Sequence, residues 1–321
     1  MANYKDLHGF EIKHRSSDPA NPIEGEIWYN TTTQTLKIAP AIGAWSSGGN
    51  LGTARSHMGG AGTQTAGLAF GGVPFPQVTS EEYDGSSWTE GNNMSTARAY
   101  FGYNGTQTAA LCSGGAEPPN NNSVATEEYG GTSWANGGNL NTARKQCAGA
   151  FGTQTAAVLS GGYTSGDADA VEEYNGTAWT AGEALPAVQN NAAGAGTLTA
   201  GLYIGGTQGN PNTLVLEYDG TDWAAGGSLN RGGSGRGAGG IQTAAIVTGT
   251  DTPAYGGHTE TYDGSSWTEI ADLSTGRAQL APATQGNSLT SMVFGGYSNS
   301  PSNATEEWTV PESISNLTIT D

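Results

Sequence analysis

Apolar and polar positions recur along this chain with a period of about 44 residues, the spacing of Trp45, Trp88, Trp134, Trp179, Trp223 and Trp267. Each unit runs in the same order: a small-residue stretch, a Thr-Gln-Thr turn, an apolar run ending in Gly-Gly, an acidic residue before an aromatic one, and the Trp. In the first unit these are MGGAG, Thr63-Gln64-Thr65, AGLAF, Gly71-Gly72, Glu81-Glu82-Tyr83 and Trp88. The next two repeat the plan, with Glu127-Glu128-Tyr129 before Trp134 and Glu172-Glu173-Tyr174 before Trp179. Later units drift, through Thr197-Leu198-Thr199 in the fourth and a single Gly249 in the fifth, to Glu306-Glu307-Trp308 in the sixth. Short apolar runs bounded by turn residues predict strands, and four fit in each unit. Tyr-Asp-Gly-Ser-Ser-Trp at 83–88 and 262–267 predicts a tight hairpin turn with Gly at positive φ.

A period of this length, repeated six times, predicts a propeller, with four strands per blade. The sixth unit stops after three strands, while Trp45 in GAWSSGGNL is an outermost strand with no unit before it. Pairing the two closes the ring and removes an exposed edge. Glycine and alanine suit inner strands crowded at the axis, and Tyr and Trp fill the wider gaps between outer strands. The expected architecture is an all-β, six-bladed β-propeller over residues 45–310. It is preceded by a module at 1–44 with a hairpin of Glu26–Asn30 and Thr35–Ile38, and followed by a tail at 311–321 whose alternation in ESISNLTITD suits a strand added to a neighbour.

Composition narrows the partners. Gly supplies 52 of 321 residues, only 12% are charged, and the net charge is -18 with four lysines in all, Lys5, Lys13, Lys37 and Lys145. No basic run exists to neutralise phosphates, so a nucleic-acid partner is not expected. An anionic membrane surface is disfavoured for the same reason, and no apolar stretch approaches the roughly 18 to 20 residues of a spanning helix. The N-terminus lacks the apolar core of a signal peptide, so synthesis in the cytoplasm is expected. Cys112 and Cys147 form no metal-ligand or disulfide spacing and are expected to be buried thiols.

The recurrent glutamates invite an acid–base reading, but a catalytic pair is unique and these occur in most units. They are expected to bond the arginines that open successive units, Arg55, Arg98, Arg144, Arg231 and Arg277, with Gln189 in that place in the fourth. His8, His14, His57 and His258 are too scattered for a copper site, and Asp167 with Asp169 falls short of the oxygens calcium requires. Neither a metal nor a cofactor is expected. Connections after the diglycines vary most, and their residues Phe75, Asn121, Tyr163, Asp167, Asp169, Asn210, Tyr255, His258 and Tyr297 are the candidate binding face for a glycan or a protein.

Diglycine, then Tyr, then Trp about five residues on, then Arg, is the pattern that this chain shares with the Kelch family, which it resembles over roughly residues 45 to 310. The segment DPANPIEGEIWYNTTTQTLKI resembles N-terminal modules of bacteriophage tail-fibre and tail-associated proteins, and the Thr-Gln-Thr-Ala turns are similar to those in structural proteins of marine cyanophages. The resemblance implies a virion protein, not an enzyme. Residues 1–44 would bind other virion proteins, the propeller would offer its loops to a host-surface glycan or receptor, and symmetric multimers are expected. The rivals are a carbohydrate-active or other Kelch-propeller enzyme, which needs a unique cluster of titratable groups, and a cellular Kelch adaptor, which would not co-purify with particles.

Overall fold

The computed structural model describes residues 12–17, 27–38, 43–74, 77–147, 149–207, 212–251 and 254–311. The chain divides into two compact units, 1–44 with 310–321, and 45–309. Among the described residues there is no helix.

In the first unit, β1 (Lys13–Arg15), β2 (Ile27–Asn30) and β3 (Thr35–Ile38) form one sheet. β2 and β3 are the expected hairpin, with Asn30 Oδ1 accepting from the amides of Thr32 and Thr33 in the turn. β1 pairs in parallel with β2, a third strand that the sequence pattern does not signal.

The second unit contains six four-stranded antiparallel sheets. The first holds β5 (Gly59–Thr63), β6 (Ala66–Phe70), β7 (Ser80–Tyr83) and β8 (Trp88–Glu90). The second holds β9 (Gly102–Thr106), β10 (Ala109–Ser113), β13 (Thr126–Tyr129) and β14 (Trp134–Asn136), with a two-stranded excursion, β11 (Ala116–Glu117) and β12 (Asn121–Asn122), between its middle strands. The third holds β15 (Phe151–Thr153), β16 (Ala156–Ser160), β17 (Val171–Tyr174) and β18 (Trp179–Ala181). The fourth holds β19 (Ala193–Thr197), β20 (Ala200–Ile204), β21 (Val215–Tyr218) and β22 (Trp223–Ala225). The fifth holds β23 (Gly237–Ile241), β24 (Ala244–Thr250), β25 (Gly256–Tyr262) and β26 (Trp267–Ile270). In the sixth, β27 (Ala281–Pro282), β28 (Thr290–Phe294) and β29 (Thr305–Thr309) are joined by β4 (Ala44–Ser47), which lies outermost beside β29.

Small residues set the spacing of the first strands. β5 lies beside β9 and β27, and β9, β15, β19, β23 and β27 neighbour one another in turn. A Cβ on Gly60 would stand 2.2 Å from the Pro282 carbonyl oxygen, a clash that only glycine avoids. The last strands instead reach back to the preceding sheet with tryptophan. Trp88 packs edge-on against Phe294 at 4.7 Å and donates to Thr305 Oγ1, and Trp179 donates to Thr126 Oγ1. In the turns before the tryptophans, Asp84 and Asp263 Oδ1 each accept two backbone amides, and these bonds hold both carboxyls down at about 2. Gly85 there takes φ 92°.

Neighbouring sheets are stitched by two further bonds that repeat. The turn glutamine crosses to the sheet before it, Gln107 Nε2 reaching the carbonyls of Gly67 and Tyr83 and Gln154 Nε2 those of Ala110 and Tyr129. The third-strand tyrosine hydroxyl donates to the second glutamate of the preceding sheet: Tyr83 to Glu307, Tyr129 to Glu82, Tyr174 to Glu128, Tyr218 to Glu173 and Tyr262 to Glu217. Between the fifth and sixth sheets donor and acceptor are both absent, since Thr261 stands where the glutamate would be and Trp308 where the tyrosine would be. Trp308 Nε1 donates to the Ser288 carbonyl instead.

Candidate functional site

The links entering four of the six sheets carry the repeat arginine, and its surroundings explain where the glutamates go. Arg55, Arg98 and Arg144 are fully buried. Each places Nη2 on the first glutamate of its own sheet, Glu81, Glu127 and Glu172, at 2.6 to 2.7 Å. Nη1 of each donates to the carbonyl of the first diglycine residue and to that of the residue just before the third strand. Arg277 pairs with Glu306 at 2.5 Å. The second carboxylate oxygen accepts from the link backbone, as with Ser95 N on Glu127 and Asn141 N on Glu172.

Two sheets depart from this plan in informative ways. In the fourth, Leu216 occupies the glutamate position, Gln189 that of the arginine, and Pro186, which has no N–H, that of the backbone donor. All three members of the network are replaced together, so no buried donor or charge is stranded. In the fifth, Arg231 does not take the part expected of it. Its side chain is 52% exposed and bonds Glu269, while Glu260 accepts from the amides of Asn230 and Arg231. Aligned on the buried leucines of the links, Arg231 stands two residues early and Gly233 is the true equivalent. Arg236 lies beside that place, its Nε 3.5 Å from where a Gly233 Cβ would be, and its Nη2 donates to the Arg231 carbonyl at 2.6 Å rather than to Glu260.

Two residues past the arginine position stands a left-handed residue in every link: His57 (φ 52°), Tyr100 (61°), Gln146 (49°), Asn191 (54°), Gly235 (66°) and Gln279 (47°). Their backbones bond head to tail. His57 N donates to Gln279 O, Tyr100 N to His57 O, Cys147 N to Tyr100 O, Asn191 N to Gln146 O, Gly235 N to Asn191 O and Gln279 N to Gly235 O. All six line one depression of about 60 Å³, room for a few waters. The His57 ring lies 4.2 Å from that of Tyr100, and burial pushes its pKa down to about 4 against the pull of Asp251, so the imidazole is neutral at neutral pH. Burial pushes the Cys112 thiol up to about 12, which removes its nucleophilicity.

A larger cleft of about 340 Å³ adjoins this depression, sharing Tyr100 and Gln146 and adding Asn120, Lys145 and Tyr163. Lys145 and Tyr163 are clamped by reciprocal backbone bonds, Lys145 N to Tyr163 O at 3.1 Å and Tyr163 N to Lys145 O at 2.7 Å. Lys145 Nζ donates to the Asn120 carbonyl at 3.2 Å and lies 5.9 Å from the centre of the Tyr163 ring.

Of the loop residues expected to bind, Phe75 and Asn210 lie outside the described residues, as does the tail from 312. Tyr163 reaches the cleft. Asn121 is in β12, Asp167 accepts from Asn190 Nδ2, and Asp169 is exposed. Tyr255 and Tyr297 meet edge to face at 5.5 Å, and neither lines the cleft. His258, expected in a loop, is in strand β25 and pairs with Asp272 at 3.2 Å. Among the described residues no three His, Cys, Asp or Glu side chains are grouped to hold a metal. The left-handed residues were not expected from sequence, although counting two from each arginine would have found four of the six.

No family model matches the chain and no curated protein matches its sequence. Among solved structures it is similar to one entitled "Structure of YjhT", with TM-score 0.66 and 14% identity over 82% of this chain and 97% of that one, a likeness of fold alone.

Proposed function

We propose that residues 45–309 form a six-bladed, Kelch-like propeller, and that the chain is a virion structural protein, of a tail fibre or a part associated with the tail. The propeller binds and does not catalyse. One contrast carries the binding reading: the repeated charges are spent inside and between the sheets, whereas the positions just before the first strands hold His57, Tyr100, Gln146, Asn191, Gly235 and Gln279, five residue types at six positions. A scaffold that repeats its supports and varies its rim is built for recognition. The virion assignment rests on the resemblance of the N-terminal segment and the Thr-Gln-Thr-Ala turns to phage proteins. In this reading residues 1–44 attach to other virion proteins, the chain assembles as a symmetric multimer, and the rim meets a host-surface glycan or receptor.

The test is mass spectrometry and antibody labelling of density-banded phage particles from the source of the gene. The chain is expected at a fixed stoichiometry in the particles, with label at the tail. Abundant chain in infected lysate but none in banded particles would overturn the virion assignment.

A further inference from the structure

We propose that the cleft between Tyr100, Asn120, Lys145, Gln146 and Tyr163 is a saccharide site that takes one carboxylate-bearing sugar ring. The inference rests on the binding reading above and names the ligand class at that rim. The cleft belongs to one place only. Lys145 is the single lysine of residues 45–309, and the equivalent link positions carry Ser56, Ala99, Asn190, Ser234 and Ala278. In a chain of net charge -18, a cation normally finds a carboxylate, and four of the six arginines in this unit do so while buried and a fifth at the surface. Lys145 is half-buried, and among the described residues no carboxylate lies within ion-pair distance of it. Its ammonium bonds a single carbonyl, leaving two N–H donors for a ligand.

The walls suit a sugar. Tyr100 and Tyr163 are half-buried rings that present aromatic surface to the C–H face of a pyranose, and the Gln146 amide adds a donor and an acceptor for hydroxyls. At about 340 Å³ the cleft admits one ring, whereas the adjoining depression of about 60 Å³ does not. The site is also held in shape before any ligand arrives. Reciprocal backbone bonds fix Lys145 against Tyr163, Asn122 Nδ2 ties Thr164 O at 2.7 Å, and Tyr100, Asn120 and Gln146 all sit at positive φ.

The experiment is calorimetric titration of the full chain with trigalacturonate, a hyaluronan tetrasaccharide and an alginate trimer, with trigalacturonate methyl ester and maltotriose as neutral probes. At least one uronate is expected to bind ten-fold or more tightly than the neutral probes. Lys145→Met and Tyr163→Ala are each expected to weaken it ten-fold or more, and Thr207→Ala, at the corresponding position of the fourth sheet, to leave it unchanged. Binding of no uronate, equal binding of the ester, or full affinity in Lys145→Met would each overturn the proposal. A far-ultraviolet spectrum and melting curve identify any variant that has lost its fold, in which case competition of the wild-type titration by inorganic sulfate decides. Sulfate that abolishes binding at equimolar concentration marks a bare anion site and sinks the saccharide, while sugar binding that withstands it supports the proposal. Presence of the Lys145→Met chain in particles is read separately, so failure here leaves the virion assignment standing.

Discussion

His57, Tyr100, Gln146, Asn191 and Gln279 hold a backbone conformation that side chains with a Cβ resist, at about 1 kcal/mol or more each. What offsets that cost is visible in the bonds that run from link to link through these residues. Among them His57 has a consequence for acid stability. Burial lowers its pKa to about 4, below the usual 6.5, so the folded chain resists a proton that the unfolded chain accepts. The associated stability is therefore complete above pH 6.5, falls as the pH drops, and is gone once the pH has passed below about 4. Relative to His57→Gln, which cannot titrate, the wild type is expected to lose up to about 3 kcal/mol across that window. Urea denaturation of both chains between pH 7 and 4 measures the difference, and parallel curves would mean that the imidazole protonates freely in the folded state.

At the scale of elements, much was legible because the repeat displays its own alignment. Turn, diglycine, acidic residue, aromatic and Trp located the strands, since each marks a physical event in a hairpin or between sheets. Reading failed where a function moved out of register. Arg231 looked like the fifth arginine because the composition matched, but the buried Leu229 fixes the count and gives the place to Gly233, with Arg236 beside it. The left-handed residues were invisible for another reason: polarity carries no sign of φ, and His, Tyr, Gln and Asn share no pattern. The fourth sheet, by contrast, writes its exception three times, in Pro186, Gln189 and Leu216. It supplies a design for the second. Arg98→Gln alone strands Glu127 in the interior and is expected to cost about 3 to 5 kcal/mol. Adding Glu127→Leu and Ser95→Pro, which copies the fourth sheet, is expected to return stability to within about 1 to 2 kcal/mol of wild type. Chemical denaturation of the single and triple variants decides; a triple variant no better than the single one would show that the network is not a separable unit.

For the whole molecule the decisive strand is β4, which lies more than two hundred residues from its partner β29 in the sixth sheet. Leu51, just beyond it, is 2% exposed and donates its amide to the Asn303 carbonyl, and Trp45 reaches the fifth sheet through Thr259 Oγ1 and the Ala271 carbonyl. Its contribution is thus to two sheets at once, about 3 to 5 kcal/mol in apolar burial and aromatic contact. Without it, the backbone edge of β29 is open to pairing with another chain. A chain beginning at residue 43 keeps the strand and is expected to melt as the wild-type chain does. One beginning at residue 52 is expected to melt lower and to self-associate as concentration rises, and a peptide of residues 43–51 supplied in excess should reverse both effects by filling the edge. Light scattering and calorimetry over a concentration series separate the alternatives. A monomeric chain from residue 52 with wild-type melting would mean that the sixth sheet is complete with three strands, and that it is held to its neighbours by the links and first strands alone.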